Sequence, residues 1–452
     1  MTLQAIGNRG KFLRHETSPC RLEVSGPKHR KPPYLVALGV LILALLAGFT
    51  ALRASGPLER EAGGDGPLYI SLAQSLAAGR GYILTDGIWQ NSPDLTRVPE
   101  WPLALAIPCS IFPHANPRVL LRTSTLAFHA FAAALLVLLT FKLMPDPIAA
   151  GLAGILFALY PSALHLLDSG ASEPLWVATV TLGLLLLFTK RLRAVAALVL
   201  GLSVLSRPNF LIFPALLAIS ALMCNRALLR HWRQFIALSS LFFVPSALWA
   251  LRNHSVSGKF LLSAVQGETF YGGNNPLVAT DLDRLGYWAF PDDIPGEIPK
   301  RVLARHMNQV QVDQYYMDQG KAFLRANWVL YPRLELGRIL RSFWPLPWVP
   351  NVKAYAASVP RLLLYLTFLS VLVSGKWLDQ RLGIVTLAIF LGILVTTMTF
   401  CGNSRYAFCM EPFLIIQVSI AASGWWRANR TRVAQVAAAE LTLQEVTPEA
   451  AA

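Results

Sequence analysis

A single acidic residue stands among glycines shortly after the first long apolar segment of the chain. Asp65 is framed by Gly63, Gly64 and Gly66, and Pro67 follows. A carboxylate in a fixed position can act as a general base that accepts a proton from an attacking hydroxyl group. Asp65 can equally cap a helix that begins near Pro67, because aspartate and proline favour these two positions. The residues themselves leave both interpretations open.

Three arginines near the ends of apolar segments have the chemistry to bind an anion. They are Arg97, Arg252 and Arg405. A planar guanidinium group binds phosphate oxygens through two parallel hydrogen bonds and stays charged. Arg405 is the first candidate, because the side of the membrane on which it falls normally carries few arginines. Contact with lipid phosphate is the alternative role for Arg97.

Two further groups of polar residues are candidates for substrate or metal binding. The segment 267–276 is rich in glycine and asparagine, whose turns expose backbone amides that can bind an anion or sugar hydroxyls, or it is an ordinary loop. The candidate substrate-binding residues are Tyr69, Asn253, Asn274, Asn275 and Tyr406. A divalent metal is a possible cofactor, and its candidate ligands are His165, Asp168 and Glu173. These three residues can equally form a polar cluster whose hydrogen bonds are satisfied within the protein.

The composition predicts that these residues belong to a membrane protein. The 452 residues are 54% hydrophobic and only 14% charged, whereas about a quarter of a soluble domain is charged. The net charge of +15 lies mainly beside apolar segments, so it indicates membrane topology and contacts with anionic lipid rather than nucleic-acid binding. The five cysteines have no paired spacing, which favours neither a metal ribbon nor a disulfide framework.

The apolar segments predict an all-α polytopic fold with about ten transmembrane helices. Placing every cluster of Lys and Arg on the cytoplasmic side gives spans near 34–52, 118–142, 146–162, 172–189, 194–206, 209–224, 232–251, 356–374, 382–400 and 405–423. The segment 98–113 contains four prolines, which disfavour a spanning helix, so we expect an interfacial or re-entrant element there. Interfacial helices are also expected in the second polar loop, whose aromatic residues suit the membrane surface.

This threading divides the chain into five parts. They are a basic cytoplasmic segment (1–33), an N-terminal transmembrane module (34–251) with a first extracytoplasmic loop at 53–117, a second such loop (252–355), C-terminal transmembrane helices (356–425) and a cytoplasmic tail (426–452). Asp65 and the three arginines then fall on the extracytoplasmic side. The helix after Asp65 is expected to place Leu68, Leu72 and Leu76 on one face at the membrane surface.

Several short motifs together resemble those of a known enzyme superfamily. Asp65, Tyr69, Ala73, Gly79 and Gly81-Tyr82 resemble the first extracytoplasmic loop of GT-C glycosyltransferases. The resemblance continues through RVPEWP at 97–102, SEP at 172–174, SRP at 206–208, WALRN at 249–253, YGGNNP at 271–276 and RY at 405–406. In this order the motifs are similar to those of family 39, the superfamily of dolichyl-phosphate-mannose–protein mannosyltransferases and aminoarabinose transferases, over residues 30–425.

The resemblance implies a function and a place for the site. The donor would be a sugar on a polyprenyl monophosphate, the acceptor an extracytoplasmic hydroxyl group of a protein, polysaccharide or lipid glycan, and the reaction an inversion with Asp65 as general base. Arg405, Arg252 and Arg97, in that order of preference, would bind the leaving phosphate. The protein would lie in the cytoplasmic membrane of a bacterium. Many members have Asp-Glu in the first loop, and Gly66 stands here instead, so a metal site at this point would lack its glutamate.

Two other classes of protein fit the hydrophobicity. A transporter or flippase for a lipid-linked or anionic substrate needs polar residues along a membrane pathway, and the predicted spans have few charges in their middles. A non-catalytic membrane subunit leaves the glycine-framed Asp65 and the extracytoplasmic arginines unexplained. The sequence therefore favours a transferase.

Overall fold

Most of the apolar segments form helices in the computed structural model, which describes residues 33–61, 64–224, 231–346, 352–375 and 378–446. Within these ranges the chain forms nineteen α-helices and no β-strand, apart from an isolated bridge between Ile83 and Pro93. The predicted all-α fold is confirmed. The basic N-terminal segment lies outside the described residues, except for Pro33.

The helices follow one another in the order predicted by the apolar segments. They are α1 (Tyr34–Ser55), α2 (Gly66–Ala77), α3 (Glu100–Ile111), α4 (Pro117–Leu143), α5 (Pro147–Ala158), α6 (Pro161–Asp168), α7 (Glu173–Leu187), α8 (Arg193–Leu202), α9 (Phe213–Cys224), α10 (Trp232–Ser257), α11 (Gln266–Gly273), α12 (Pro276–Thr280), α13 (Lys300–Leu303), α14 (Gln309–Ala326), α15 (Tyr331–Phe343), α16 (Val352–Ser374), α17 (Gln380–Thr399), α18 (Ser404–Phe408) and α19 (Glu411–Val446).

Fewer helices meet the length of a membrane span than the ten predicted. Among the described residues, α1, α4, α10 and α17 are long and apolar enough to cross a membrane, and α5 with α6, bent by 42°, makes a fifth. Shorter apolar helices cover Glu173–Leu187, Pro208–Cys224 and Ser358–Ser374. The count of about ten spans therefore stays a prediction. The last helix continues to Val446, well beyond the predicted end of the membrane module at residue 425.

Small residues allow the central helices to approach each other closely. A Cβ atom on Gly154 of α5 would lie 2.4 Å from Val137 of α4, and one on Gly48 of α1 would lie 2.3 Å from Leu126. Ala132 and Ala133 of α4 are fully buried in the same core. Close contact through glycine and alanine is typical of helices that associate within a membrane. This rigid group of helices supports the loops that carry the polar residues.

Helix α3 has the features expected of an interfacial element. Its twelve residues contain Pro108, and a helix of that length is too short to span a bilayer. Leu103, Ile107 and Ile111 are each more than half exposed on its surface. On the other side of the helix, Trp101 is buried and donates its indole N–H to the carbonyl of Gly170 at 3.0 Å. The helix therefore has one apolar outer face and one face that packs on the core.

The predicted role of one face of α2 is wrong. Leu72 is fully buried, and Leu68 and Leu76 pack beside it against Tyr82 and Leu84 of the first loop. This face therefore lies against protein and not at the membrane surface. The leucine spacing identified the buried side of the helix correctly, but spacing cannot distinguish a lipid partner from a protein partner.

The second loop supports the first loop through hydrogen bonds to the backbone of residues 93–95. The side-chain amide of Gln309, in the first turn of α14, donates to the carbonyl of Pro93 at 3.0 Å and accepts from the N–H of Leu95 at 2.7 Å. The N–H of Ala264 donates to the carbonyl of Leu95 at 2.6 Å. These bonds satisfy an otherwise irregular backbone and fix residues 93–95 close to the start of α3.

Arg338 joins the second loop to the end of α17. Its fully buried guanidinium group donates to the carbonyls of Gly273 at 2.8 Å and Met398 at 2.7 Å, and to the side-chain oxygen of Asn274 at 2.6 Å. Glu335 pairs with the same group at 2.5 Å. A buried charge held by several hydrogen bonds in this way fixes the geometry of the junction.

Replacing Gly273 with alanine is expected to lower the melting temperature of the purified protein in detergent. The new Cβ atom would lie 1.7 Å from the carbonyl oxygen of Phe400, and overpacking of this kind costs about 1–3 kcal/mol or more. Gly39→Ala is the matched control, because a Cβ atom on that helical glycine meets nothing within 4 Å. Equal melting temperatures for the two variants would contradict the close approach of the second loop to α17.

Candidate active site

Asp65 points to an arginine and not to the helix that it precedes. It occupies the N-cap position of α2, but its side chain accepts no capping hydrogen bond. Its Oδ1 atom instead accepts a hydrogen bond from Nη2 of Arg97 at 2.8 Å, and the Asp65 side chain is 43% exposed. The expected capping role is therefore wrong, because the carboxylate gains a stronger partner in the guanidinium group. Asp65 combines a fixed orientation with access from outside.

Arg97 is positioned by a turn of the first loop. The carboxylate of Asp94, which is fully buried, accepts from the backbone N–H groups of Thr96 at 3.0 Å and Arg97 at 2.9 Å and from the Thr96 hydroxyl at 2.7 Å. Burial lowers the pKa of Arg97, but the negative charges of Asp65, Asp94 and Glu268 outweigh it, so its pKa lies above the usual value. Arg97 is therefore a permanent cation beside Asp65.

A second polar group forms where α7, α18 and the turn before residue 208 meet. The fully buried carboxylate of Glu173 accepts from Nη2 of Arg207 at 2.5 Å and from Nε of Arg405 at 2.6 Å. Arg207 is nearly buried, whereas the side chain of Arg405 is 41% exposed. The charge of Glu173 raises the pKa of Arg405 despite burial. Within the described ranges the terminal nitrogens of Arg405 have no hydrogen-bond partner.

Tyr69 of α2 connects the two polar groups. Its phenol is buried, and burial, with the charge of Asp65 next, raises its pKa to about 12. Arg97, Glu173 and Arg405 are also close enough to shift the pKa of Tyr69. The phenol therefore stays protonated at neutral pH and can donate a hydrogen bond. Asp65, Tyr69 and Arg405 are thus neighbours, and we refer to the polar surface around the half-exposed side chains of Asp65 and Arg405 as the Asp65 cleft.

The charges of this cleft leave room for an anion. Arg97, Arg207 and Arg405 supply three positive charges, and Asp65 and Glu173 supply two negative charges, so the five side chains carry a net charge of +1. Arg405 presents its unused guanidinium nitrogens at the exposed side of the cluster. A phosphate group is the ligand that such a fork binds well.

A narrow apolar groove adjoins Arg207. Its lining includes the aromatic rings of Trp176, Phe210 and Phe213 from one side and aliphatic residues of α17, among them Ile389 and Ile393, from the other. Phe210 and Phe213 stack with their ring centroids 4.3 Å apart. The groove has a volume of only about 20 Å³, so a lipid chain can enter it only if these side chains move.

Arg122 of α4 positions the chain that leads to Asp65. Its guanidinium group is buried and donates to the carbonyls of Leu58 at 2.6 Å, Arg60 at 2.9 Å and Glu61 at 3.1 Å. Its Nε atom also donates to the carboxylate of Asp168 at 3.2 Å. One side chain therefore holds several successive carbonyl groups of the segment immediately before the glycines that surround Asp65.

Replacing Arg122 with methionine is expected to destabilise this segment and lower transfer activity. The change leaves the carbonyls of Leu58, Arg60 and Glu61 without their buried donor, and each unsatisfied buried group costs about 1–3 kcal/mol. Lys142→Met is the control, because Lys142 is exposed in the last turn of the same helix, far along the chain from Arg122. The checks are the melting temperature and the rate of limited proteolysis between residues 55 and 65. Identical behaviour of the two variants would contradict the positioning role.

Four residues predicted to bind substrate or phosphate have structural partners instead. Arg252 donates to the carbonyls of Asp94 at 2.7 Å and Tyr82 at 3.2 Å and lies over the rings of Tyr82 and Trp249. Asn253 donates to the carbonyls of Leu261 and Leu262. Asn274 and Asn275 are fully buried and bind backbone carbonyls at the end of α11. These side chains satisfy buried backbone groups, which is why the sequence places polar residues there.

Tyr406, the remaining predicted substrate residue, lies beside the Glu173 group. Its hydroxyl contacts the sulfur of Cys401 at 3.6 Å, and its ring packs partly against the core. The charges of Arg207 and Arg405 act on its phenol, which places Tyr406 in the same neighbourhood. Tyr406 therefore lies next to these arginines, with its ring packed against the core.

The three candidate metal ligands lie apart. Asp168 pairs with Arg60 and Arg122, Glu173 pairs with Arg207 and Arg405, and His165 is exposed on α6. Throughout the described part of the chain, no group of three or more His, Cys, Asp or Glu residues is placed to hold a metal ion. The residues present form separate ion pairs, and we derive no step through a metal.

Two residues of the site were missed by sequence reasoning. Arg207 was not a candidate site residue and entered only through the motif SRP at 206–208, although an arginine within an apolar segment is a signal of function. Arg122 lies inside a predicted span, where a single buried arginine is equally unusual. In both cases the available signal was an arginine within an apolar segment, because burying a charge there is costly.

The comparisons with known proteins were made on sequence and on structure. No protein-family model matches the chain, and no curated protein matches it. The structure is similar to an oligosaccharyltransferase from Archaeoglobus fulgidus, tethered with an acceptor peptide, at 14% identity and a TM-score of 0.47, over 86% of this chain and 49% of that one. It is also similar to ArnT from Cupriavidus metallidurans bound to undecaprenyl phosphate, at 14% identity and a TM-score of 0.41, over 85% of this chain and 76% of that one.

The chain spans about half the length of the oligosaccharyltransferase. At these TM-scores the likeness assigns no activity, donor or acceptor to this chain.

Proposed function

We propose that this protein is a membrane glycosyltransferase that moves a sugar from a polyprenyl-phosphate donor to a hydroxyl group of an extracytoplasmic acceptor. The observation that carries the proposal is the cleft in which the half-exposed carboxylate of Asp65 and the free guanidinium nitrogens of Arg405 are both close to Tyr69. A base and an anion site in one cleft are what a transfer from a phosphate requires.

The donor would lie with its phosphate at Arg405 and Arg207 and its lipid chain in the groove next to Arg207. The groove contributes apolar and aromatic surface, and its lining residues Phe213 and Ile389 belong to apolar helices α9 and α17. Opening of the narrow groove would accompany binding of the lipid chain.

Transfer would proceed by one displacement at the anomeric carbon. The acceptor oxygen forms a bond to that carbon as the bond from carbon to phosphate oxygen breaks, and the electron pair leaves with the phosphate. Asp65 accepts the proton of the acceptor hydroxyl. The leaving phosphate gains negative charge, which Arg405 and Arg207 stabilise because they are already in position. Arg97 orients Asp65. The phenol of Tyr69 donates a hydrogen bond in the cleft, between the Asp65 group and the Arg405 group.

The test is a transfer assay with the purified full chain in lipid nanodiscs. Isotope-labelled sugars on polyprenyl phosphate are supplied together with cell-envelope extract, and mass spectrometry follows labelled product and released polyprenyl phosphate. Equal amounts of both are expected. Movement of the labelled lipid across a proteoliposome membrane without product would instead identify a transporter, and transfer from nucleotide sugars would contradict the lipid donor. Comparison of envelope glycans from a deletion strain would identify the acceptor.

A further inference from the structure

A second cavity lies away from the Asp65 cleft, among the ends of α2, α3 and α4. Its volume is about 300 Å³, which is within the range of small-molecule sites. Its polar lining is Gln74, Arg80 and Ser110, and its apolar lining includes Phe112 and Leu120. Nothing in the proposed transfer reaction uses this cavity.

The charge of the cavity favours an anionic ligand. Arg80 is the charged residue of its lining, and no acidic residue lines it within the described ranges. In the same ranges the guanidinium group of Arg80 makes no ion pair and no hydrogen bond, and the Gln74 amide is likewise without a partner. By contrast, Arg118 on the neighbouring helix is paired with Glu61. Arg80 and Gln74 therefore present unused donors at one side of the cavity.

The surroundings of the cavity favour a ligand that also has an apolar chain. Helix α3 continues the cavity wall, and its outer residues Leu103, Ile107 and Ile111 are each more than half exposed. Phe112, which is also exposed, belongs both to this row and to the cavity lining. An exposed apolar row of this size in a membrane protein lies against lipid. A molecule with its head group at Arg80 would extend its chain along that row.

The cavity is separated from the cleft by a small hydrophobic cluster. Cys109 and Leu120 form part of its wall and also pack in the cluster that contains Tyr69, Trp101 and Leu105. A ligand in the cavity would therefore contact the other side of the cluster on which Tyr69 packs. This arrangement makes the cavity a separate site that supports α2.

We propose that this cavity binds the head group of an anionic phospholipid, with Arg80 contacting the phosphate and the lipid chain lying along the outer face of α3. The side-chain amide of Gln74 donates a hydrogen bond to the head group. Bound lipid closes the open side of the cluster beneath Tyr69. The inference is independent of the transfer reaction and concerns binding alone.

The thiol of Cys109, which lines the cavity, gives a direct probe. The full chain is placed in phosphatidylcholine nanodiscs with or without phosphatidylglycerol, and alkylation of Cys109 by N-ethylmaleimide is measured by peptide mass spectrometry. The exposed Cys224 is the internal reference. Phosphatidylglycerol is expected to slow alkylation of Cys109 about fivefold, the change that one arginine near anionic lipid gives, and to leave Cys224 unchanged. Inorganic phosphate in phosphatidylcholine nanodiscs is expected to have no effect.

Two variants separate the contributions of charge and volume. Arg80→Ala is expected to remove the effect of phosphatidylglycerol, whereas the control Arg118→Ala keeps it. Ser110→Trp fills the cavity and is expected to slow alkylation in both kinds of nanodisc. Equal rates for the wild type in the two lipids, an unchanged lipid effect in Arg80→Ala, or protection by inorganic phosphate alone would overturn the proposal.

A second measurement covers the case in which Cys109 reacts too slowly to follow. Native mass spectrometry of the detergent-purified protein is expected to show phosphatidylglycerol retained by the wild type and by Arg118→Ala, and lost from Arg80→Ala and Ser110→Trp. Equal retention by all four proteins would overturn the site. Transfer activity enters neither readout, so the outcome is distinguishable from that of the transfer assay.

Discussion

Replacing Asp65 with asparagine is expected to lower the turnover number for sugar transfer by about 10²–10⁴-fold, the usual contribution of a general base. Asparagine keeps the size of the side chain and can still accept a hydrogen bond from Arg97, but it cannot take up the proton of the acceptor. Since Asp65 makes no capping bond to α2, the melting temperature is expected to stay close to that of the wild type. The measurement is the single-turnover rate with a saturating polyprenyl-phosphate sugar.

Asp86→Asn is the matched control for this variant. Asp86 lies in the same loop, is exposed, and accepts a hydrogen bond from the N–H of Gly87 at 2.7 Å. Its replacement is expected to leave the rate unchanged. Binding of the released polyprenyl phosphate is also expected to be unchanged in Asp65→Asn, because the arginines that bind it remain. A normal turnover number in Asp65→Asn would remove the proposed base while leaving the anion site standing.

The sequence singled out Asp65 and Arg405 as candidates but did not predict their partners. The framing glycines of Asp65 and the unusual position of Arg405 identified both residues, and the structure places both near Tyr69. The ion pair between Asp65 and Arg97 could not be predicted, because it joins residues 32 positions apart through a turn that Asp94 organises. The capping interpretation was wrong for the same reason: local spacing does not contain the competing long-range partner.

The polar residues near the second loop show a second limit of prediction from sequence. Asn253, Asn274 and Asn275 looked available for a ligand, but irregular backbone close to a membrane core leaves carbonyls that need donors. The structure uses these amides and Arg252 to satisfy them. Helix positions, by contrast, followed from apolar length: the predicted span 118–142 corresponds to α4, which Asn116 caps, and the predicted span 146–162 begins at Asp146, which caps α5.

Replacing Arg405 with alanine is expected to lower kcat by about 10²–10³-fold, the range for loss of one preorganised donor to a developing anion. The fold tolerates this change, because Glu173 keeps its contact with Arg207 at 2.5 Å and so is not left as an unpaired buried charge. Arg207 is a poorer choice, since it is nearly buried and its removal would leave Glu173 with only a half-exposed partner. Arg405→Lys is expected to recover part of the rate, because lysine keeps the charge and loses the fork.

Product inhibition distinguishes this role from that of Asp65. Polyprenyl phosphate competes with the donor, and its inhibition constant is expected to rise in Arg405→Ala and to stay unchanged in Asp65→Asn. Arg284→Ala is the control, because Arg284 is an exposed arginine of the second loop that pairs with Asp281 and Asp293 at 3.8 Å. If Arg405→Ala lowered kcat without weakening inhibition by polyprenyl phosphate, Arg405 would act on the sugar or on Glu173 rather than on the phosphate. If both variants weakened inhibition equally, base and anion site would not be separable, and the cleft would bind its ligand as one polar surface.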